Sequence, residues 1–262
     1  MNFPQEKQAE VAAYLRQLLR KGIRSVYLPP ELAGTGAGPR AAGGGAPGGD
    51  EAMPETAVEK SGPAGLIELA RVVSVCRSCP LHASRTQTVF GVGNPGAQVM
   101  FIGEAPGREE DLKGEPFVGR AGQLLTKILA AIDLKRDDVY ITNVLKCRPP
   151  NNRDPQESEV RCCESYLKRQ IELVRPKLIC ALGRIAAQWL LQTTAPLAAL
   201  RAGEHTYQGI RILPTYHPAA LLRNPGLKRE AWEDFKKLKS LLEELQDERA
   251  GTAPSPDSGE GV

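Results

Sequence analysis

The stretch QVMFIGEAPGREED (residues 98–111) decides the fold of this chain. Its first six residues are a short apolar run that ends at Gly103, as a buried strand does where the chain leaves a sheet. A loop with Gly, Pro and acidic residues follows, and then a helical pattern, GQLLTKILAAI (122–132). A buried strand, a loop and a helix in this order are typical of a parallel sheet.

The same alternation extends to both sides of this stretch. A helix is predicted at about 66–75, and helices also follow the later strands, at about 156–173, from 185 onward and at about 228–245. The further strands are DVYITNVL (138–145), KLICALG (177–183) and GIRILPT (209–215). We therefore expect an α/β fold, a three-layer α/β/α sandwich around a four-stranded parallel sheet.

The two ends of the chain differ from this middle part. Residues 1–32 carry an amphipathic pattern and predict an N-terminal accessory helix. Residues 33–64 contain nine Gly and four Pro, without apolar periodicity, and predict a disordered linker. The globular domain is expected at 65–245, and a disordered tail at 246–262.

Composition excludes some classes of protein. The chain has 262 residues, of which 41% are apolar, and no apolar run long enough to span a membrane. Its first residues lack the apolar core of an export signal, so we expect a cytoplasmic protein. We also expect a monomer. Residues 65–245 hold 26 basic and 20 acidic residues, which is compatible with a polyanionic partner, although many soluble domains carry a similar charge.

Six cysteines in a reducing compartment favour metal or cluster binding over disulfides. Two of them form a C-x2-C pair, and others lie far along the chain, so a four-cysteine site is predicted. Spacing alone does not separate a zinc ion from a [4Fe–4S] cluster. Cys180 lies inside a predicted buried strand and is interpreted as a core residue. The other five are Cys76, Cys79, Cys147, Cys162 and Cys163.

Four segments rich in Gly, Pro, Asn, His and carboxylates follow the predicted strands. Because the carboxyl ends of parallel strands meet at one edge of a sheet, we expect these segments to form one site. They are GEAPGREED (103–111) with EPFVGRAG (115–122), TNVLKCRPPNNRDP (142–155), ALGRIA (181–186) and YHPAALLRNP (216–225).

These segments closely resemble the uracil-DNA glycosylase superfamily, and within it the iron–sulfur family 4 enzymes, over roughly Val75 to Leu238. The resemblance implies excision of uracil from single- or double-stranded DNA by hydrolysis of the N-glycosidic bond. The product is an abasic site, which initiates base excision repair. The resemblance also implies a [4Fe–4S] cluster. Its implied ligands are Cys76, Cys79, Cys147 and, rather than Cys162, Cys163, which stands three residues before a Tyr-Leu pair.

Three residues match the tasks that this reaction sets. Phe117 can stack on a flipped pyrimidine. Asn143 offers a donor and an acceptor to the edge of uracil, although an amide can turn over, so rigid positioning must supply the discrimination against cytosine. His217 can stabilise the departing base, as a neutral or a charged ring.

Water activation is less well defined by the sequence. Ala105 stands where the best-known branch of the superfamily carries an Asp. The resemblance places Glu110 nearest to catalysis, among the carboxylates of 104–111, and Glu104, with Ala105, against the uracil. Asn152 is a further candidate for positioning the water or the sugar.

Several basic and polar residues flank these loops and are expected to contact DNA. Leu221 or Leu222 resembles the wedge that fills the vacated base stack, although the pair could equally belong to a helix core. The expected DNA contacts are Arg148, Arg153, Leu222, Arg223, Asn224 and Lys228.

Two other functions remain to be considered. A related branch traps uracil covalently through a histidine, but no His lies between His82 and His205. A non-catalytic iron–sulfur protein that binds uracil-DNA would lack the site residues, and they are present. The predicted N-terminal helix is also a candidate for binding a protein partner.

Overall fold

The computed structural model describes residues 62–251. The predicted accessory helix, most of the linker and the last 11 residues of the tail lie outside this range. The strands are β1 (Val92–Gly93), β2 (Val99–Gly103), β3 (Tyr140–Asn143), β4 (Leu178–Leu182), β5 (His205–Tyr207) and β6 (Ile210–Thr215). The helices are α1 (Gly62–Ser74), α2 (Arg108–Lys113), α3 (Arg120–Ala131), α4 (Glu157–Val174), α5 (Arg184–Leu191), α6 (Leu197–Ala202), α7 (Pro218–Arg223) and α8 (Lys228–Gly251).

The strands form one sheet in the order β1-β3-β2-β4-β6-β5. Its four central strands are parallel, and they are the four strands that the sequence predicts. The sheet has six strands rather than four because β1 and β5 add to its edges in antiparallel pairing. The strand β1 has two residues and β5 has three, and all of them are at least partly exposed. Neither strand therefore appears as an apolar run in the sequence.

Helices cover both faces of the sheet, as the three-layer prediction requires. Along β2, Met100 and Ile102 point into a core shared with α1 and α4. Val99 and Phe101 point the other way, into a core shared with α3 and α8. A strand whose two faces are both covered shows no apolar–polar alternation, which is why β2 and β4 are continuous apolar runs.

Two predicted boundaries are corrected by the structure. Residues 246–251 belong to α8 rather than to the tail, because the sequence LQDERA has no helix breaker before Gly251. Residues 62–64 belong to α1 rather than to the linker, since Pro63 is tolerated in a first helical turn.

The parallel sheet brings the carboxyl ends of the central strands to one edge. Gly103 at the end of β2 is level with Asn143 at the end of β3. The chain leaves β4 at Gly183 and β6 at Thr215, directly before the YHP turn. None of the helices within 62–251 combines the length and the apolar character needed to cross a bilayer.

Candidate active site

A cleft of about 310 Å³ opens at this edge of the sheet. It is formed by the loops after β2, β3 and β6, so three of the four predicted strand-end segments meet here, whereas ALGRIA (181–186) contributes no lining residue. Nine residues singled out from the sequence line it: Glu104, Ala105, Glu110, Phe117, Asn143, Asn152, Arg153, His217 and Arg223.

Phe117 forms one wall of the cleft in an unusual backbone conformation. Its φ of 55° is left-handed, which is uncommon for an aromatic residue and clusters at functional sites. Arg136 holds the loop by donating to the carbonyls of Pro116 and Phe117 at 2.8 and 3.1 Å. A Cβ at Gly122 would lie 1.8 Å from the Phe117 carbonyl oxygen, so this loop geometry requires glycine there.

Glu110 fixes the same loop from the other side. Its Oε1 accepts hydrogen bonds from the backbone N–H groups of Val118 and Gly119, both at 2.9 Å. Its Oε2 lies on the cleft side, beside Gly107, where a Cβ would come within 2.8 Å of it. One carboxylate thus holds the Phe117 loop and presents an oxygen to the cleft.

Asn143 lies on the floor of the cleft. Its side chain is buried, and its Oδ1 has no hydrogen-bond partner among the described residues. A Cβ at Gly103 would come within 2.4 Å of this oxygen and 2.5 Å of the Phe117 ring, so the absent side chain of Gly103 keeps the floor open. A buried acceptor without a partner costs about 1–3 kcal/mol, and a ligand with a matching N–H would recover it.

His217 faces Phe117, with the ring centroids 5.4 Å apart. Its Nδ1 accepts a hydrogen bond from the N–H of Ala219 at 3.1 Å and so caps α7. Burial, with a smaller contribution from the positive charge of Arg223, lowers the pKa of His217 to about 4, although Glu110 opposes this shift. The ring is therefore neutral near pH 7, and its proton is on Nε2 because Nδ1 is an acceptor.

A partly exposed network behind the YHP turn fixes Tyr216, the neighbour of His217. Arg201 uses all five of its N–H donors in this network. They bond to Tyr216 OH, to the carboxylate and the carbonyl of Glu230, and to both carboxylate oxygens of Asp234, at 2.5–3.1 Å. Thr215, the last residue of β6, donates to Asp234 at 2.7 Å. The network joins α6, β6 and α8 at the point where the chain turns into the site.

Glu104 also lines the cleft, near the carboxylate of Asp154, which the sequence does not single out. Burial and the negative charge of Asp154 raise the pKa of Glu104 to about 7, and Arg184 and Arg223 oppose the shift. Asp154 is itself paired with Arg184 at 3.0 Å. It stands inside the quoted NNRDP segment, but an acidic residue in a loop gives no signal of its own.

Two predicted loop residues are engaged within the protein. Asn152 lines the cleft and accepts a hydrogen bond from Arg148 Nε at 2.7 Å. Arg153 also lines it, but its guanidinium pairs with both oxygens of Glu159, which is 1% exposed and caps α4. A phosphate would have to compete with that pair for Arg153.

The structure distinguishes the two leucines of the predicted wedge. Leu221 is 2% exposed and belongs to the core under α7, whereas Leu222 is 38% exposed on the surface next to Arg223. Asn224, a predicted DNA contact, accepts the N–H of Gly226 and caps the turn after α7.

Four thiols meet at a second place, between α1, α4 and the loop after β3. Cys76, Cys79, Cys147 and Cys163 line one small cavity, and Cys162 lies at its exposed edge. Cys180 is fully buried in β4, as predicted for a core residue.

Three sulfur atoms of this thiol group accept hydrogen bonds. Cys163 accepts from the N–H of Lys146 at 3.3 Å, Cys147 from Arg85 at 3.1 Å and Cys76 from the N–H of Ser78 at 3.5 Å. Within 62–251, no three His, Cys, Asp or Glu side chains are arranged to hold a single metal ion. Four thiols, three of them supplied with N–H donors, fit the ligand set of an iron–sulfur cluster.

Comparisons with known proteins agree with this geometry. The family model of the uracil DNA glycosylase superfamily matches residues 90–236. The type-4 uracil-DNA glycosylase of Archaeoglobus fulgidus is 50% identical over 189 residues, which cover 69% of this chain and 95% of that protein. The type-4 enzymes of Saccharolobus solfataricus and Thermotoga maritima are 47% and 44% identical, over 66% and 67% of this chain and 85% and 95% of their own.

Proposed function

The chain belongs to the uracil-DNA glycosylase superfamily, in its type-4 branch, and on this premise we propose how its cleft works. It is a DNA glycosylase that removes uracil from DNA in repair by hydrolysing the N-glycosidic bond. The observation that carries this function is the buried Oδ1 of Asn143, which has no hydrogen-bond partner within 62–251 and lies at a floor where Phe117 and His217 also meet.

Phe117 and Asn143 recognise the flipped base. The Phe117 ring stacks on the pyrimidine face, which is worth about 1–3 kcal/mol and does not depend on sequence. Asn143 accepts the N3–H of uracil with Oδ1 and donates to O4 with its amide nitrogen. Cytosine has no proton on N3 and carries a donor in place of O4, so the same orientation of the amide rejects it.

His217 stabilises the leaving group. As the bond to the sugar breaks, negative charge develops on the base, and the neutral ring donates its Nε2 proton in a hydrogen bond to O2. A pKa of about 4 means that this imidazole does not have to lose a proton first, and that it remains a donor throughout the physiological range.

The carboxylates act on the sugar and the water. Because the transition state resembles an oxocarbenium ion, an ionised carboxylate beside the sugar stabilises its positive charge. We assign this role to Glu110, which is anchored by two backbone amides, and the orientation of the attacking water to Glu110 together with Asn152. Glu104 and Ala105 line the side of the cleft that holds the base.

DNA contacts surround the cleft. Leu222 is the exposed member of the leucine pair and serves as the wedge in the vacated base stack. Arg223 lies at its side, and with Arg148, Asn224 and Lys228 it binds the phosphate backbone.

A [4Fe–4S] cluster held by Cys76, Cys79, Cys147 and Cys163 completes the proposal. The cluster contributes a structural link. Its four ligands come from the segment after α1, the loop after β3 and the helix α4. A cluster bound by all four would therefore connect these three parts of the chain to one another. A monomer is the active form in this proposal.

The function is tested with an oligonucleotide that contains a single uracil, incubated with the protein and then treated with alkali. Strand scission at the uracil is expected, and none at cytosine or thymine. An uncleaved strand retained by the protein would favour a non-catalytic binding protein. A protein–DNA adduct that survives denaturation would favour the covalently trapping branch.

A further inference from the structure

A buried lysine lies between Asn143 and the thiol group. Lys146 is 1% exposed, three residues after Asn143 and next to Cys147. Its Nζ donates to Thr142 Oγ1 at 2.7 Å, to the backbone carbonyl of Asn143 at 2.7 Å and to Gln170 Oε1 at 2.5 Å. An ammonium group has three N–H donors, so all of them are used inside the protein.

The acceptors of Lys146 are themselves fixed. Thr142 donates its hydroxyl hydrogen to the carbonyl of Phe90 at 2.7 Å. Gln170, on α4, donates to the same carbonyl at 3.0 Å and to Tyr140 OH at 3.1 Å. In a closed network of this kind, the loss of one member leaves another buried polar group without a partner.

The backbone of Lys146 is held from two further sides. Its N–H donates to Cys163 Sγ at 3.3 Å, and its carbonyl accepts the N–H of Val89 at 2.8 Å. The same residue therefore contacts a thiol through its main chain and Asn143 through its side chain.

The sheet alone does not immobilise Asn143 on both sides. On the β2 side, Asn143 pairs with Gly103. On the β1 side, strand pairing ends at Ile141, and beyond it Lys146 Nζ donates to the Asn143 carbonyl and is itself held by Gln170 Oε1.

We propose that Lys146 is a positioning residue that sets the preference for uracil over cytosine. It fixes the backbone at Asn143, so that the side-chain amide presents its oxygen and its nitrogen in one orientation. This inference rests on the proposed role of Asn143 as the reader of the base. An Asn amide that turns over would accept cytosine as readily as uracil, and rigidity is what separates the two.

The experiment compares Lys146→Met with a matched pair at its partner, Thr142→Val and Thr142→Ser. Thr142→Val removes the hydroxyl at nearly constant shape, and Thr142→Ser retains it. Four quantities are measured for each protein: the single-turnover rate on uracil-DNA, the affinities for uracil-, cytosine- and abasic-site DNA, the thermal midpoint and the iron content.

Lys146→Met should lower the rate about 10²-fold, as a displacement of a positioning group does. The ratio of uracil-DNA to cytosine-DNA affinity should fall, while the affinity for abasic-site DNA stays within about twofold of wild type, since an abasic site offers no base to read. Thr142→Val should shift the ratio in the same direction, and Thr142→Ser should lie between Thr142→Val and wild type.

An unchanged affinity ratio in a folded Lys146→Met variant would overturn the inference, as would a proportional loss for all three DNAs. If Lys146→Met does not fold, equal ratios in the two Thr142 variants would overturn it, and a lower ratio in Thr142→Val would support it. Failure of the proposed function is a different result, namely wild-type protein that leaves uracil in DNA.

Discussion

At His217, which lines the cleft, Nδ1 caps α7, and the proposed function leaves Nε2 as the donor to the base. Replacing it by alanine removes a donor to charge that exists only in the transition state. His217→Ala should lower the single-turnover rate about 10²–10³-fold, with uracil-DNA affinity near wild type. His205→Ala, on the edge strand β5, is the control. A parallel loss of rate and affinity would show that His217 only shapes the turn.

The ionisation of Glu104 gives a prediction on pH. Its pKa of about 7 reflects burial and Asp154, so the rate of the wild type should change with pH near 7, and Glu104→Gln should remove that change. Asp154→Asn removes a negative charge, which favours the ionised form and moves the midpoint to lower pH. Arg184→Gln removes a positive charge and moves it to higher pH.

The pH profile also tests the neutral ring. In the Glu104→Gln variant, the rate should be level between about pH 5 and 6.5, because a pKa of about 4 keeps His217 neutral there and Lys146, whose pKa burial lowers to about 7, stays mostly protonated. A rise in rate as the pH falls through the ordinary range of histidine would indicate an imidazolium.

Among single residues, the sequence predicts those that stand in a recognisable motif. It does not predict the residues that affect the site by holding or charging a neighbouring residue. Phe117, Asn143 and His217 stand in recognisable segments, and the structure brings them together. Lys146 and Asp154 stand in the same segments, but their importance comes from burial and from charges that only the fold places beside them. Arg201 lies outside every motif.

At the scale of elements, Arg201 joins α6, β6 and α8, and its removal takes away five hydrogen bonds, two of them to Asp234, which keeps its bond from Thr215. Arg201→Met should destabilise the protein by about 2 kcal/mol. Arg211→Met is the control, because its pair with Glu244 is exposed and contributes less than about 1 kcal/mol. Thermal unfolding measures both, and equal shifts would show that the network adds nothing beyond a surface pair.

The thiol group predicts which cysteines hold iron. Cys79→Ser and Cys163→Ser should lose visible absorption and most of about four irons per chain. Cys162→Ser and Cys180→Ala should retain both, since one side chain is exposed and the other lies in β4. Cys162→Ser is the sharper control, because it neighbours Cys163. A colourless wild type with one zinc would contradict the cluster.

Periodicity predicts the elements that bury a face and loses those that do not. The four central strands are apolar runs, and their order of appearance already implies parallel pairing. The edge strands β1 and β5 form by pairing with β3 and β6, and no pattern in their own sequences predicts that pairing. The helix α8 continues to Gly251 because no helix breaker precedes that residue. The change to a polar composition after residue 245 is the stronger signal in the sequence, and it predicts a tail.

At the scale of the whole molecule, the cleft, both cores and the thiol group all lie within 62–251. Deleting residues 1–61 should therefore leave uracil excision within about threefold of the full chain, because the truncated chain retains all the core residues that the structure describes within 62–251. The measurement is the single-turnover rate, with the thermal midpoint as a check on folding. A folded but inactive truncation would assign the front segment a part in the reaction.

Gly103 and Gly122 bear on how a mutational scan of this protein would read. Neither has a side chain to touch DNA, and yet any larger residue would strike Phe117 or Asn143. Such a scan would find substitutions at both positions as harmful as substitutions of the catalytic residues. At Gly103, enzyme activity would fall before the amount of folded protein did. Intolerance at Gly103 would then mark the volume that the flipped base needs, and intolerance at Gly122 would mark the backbone geometry of the Phe117 loop.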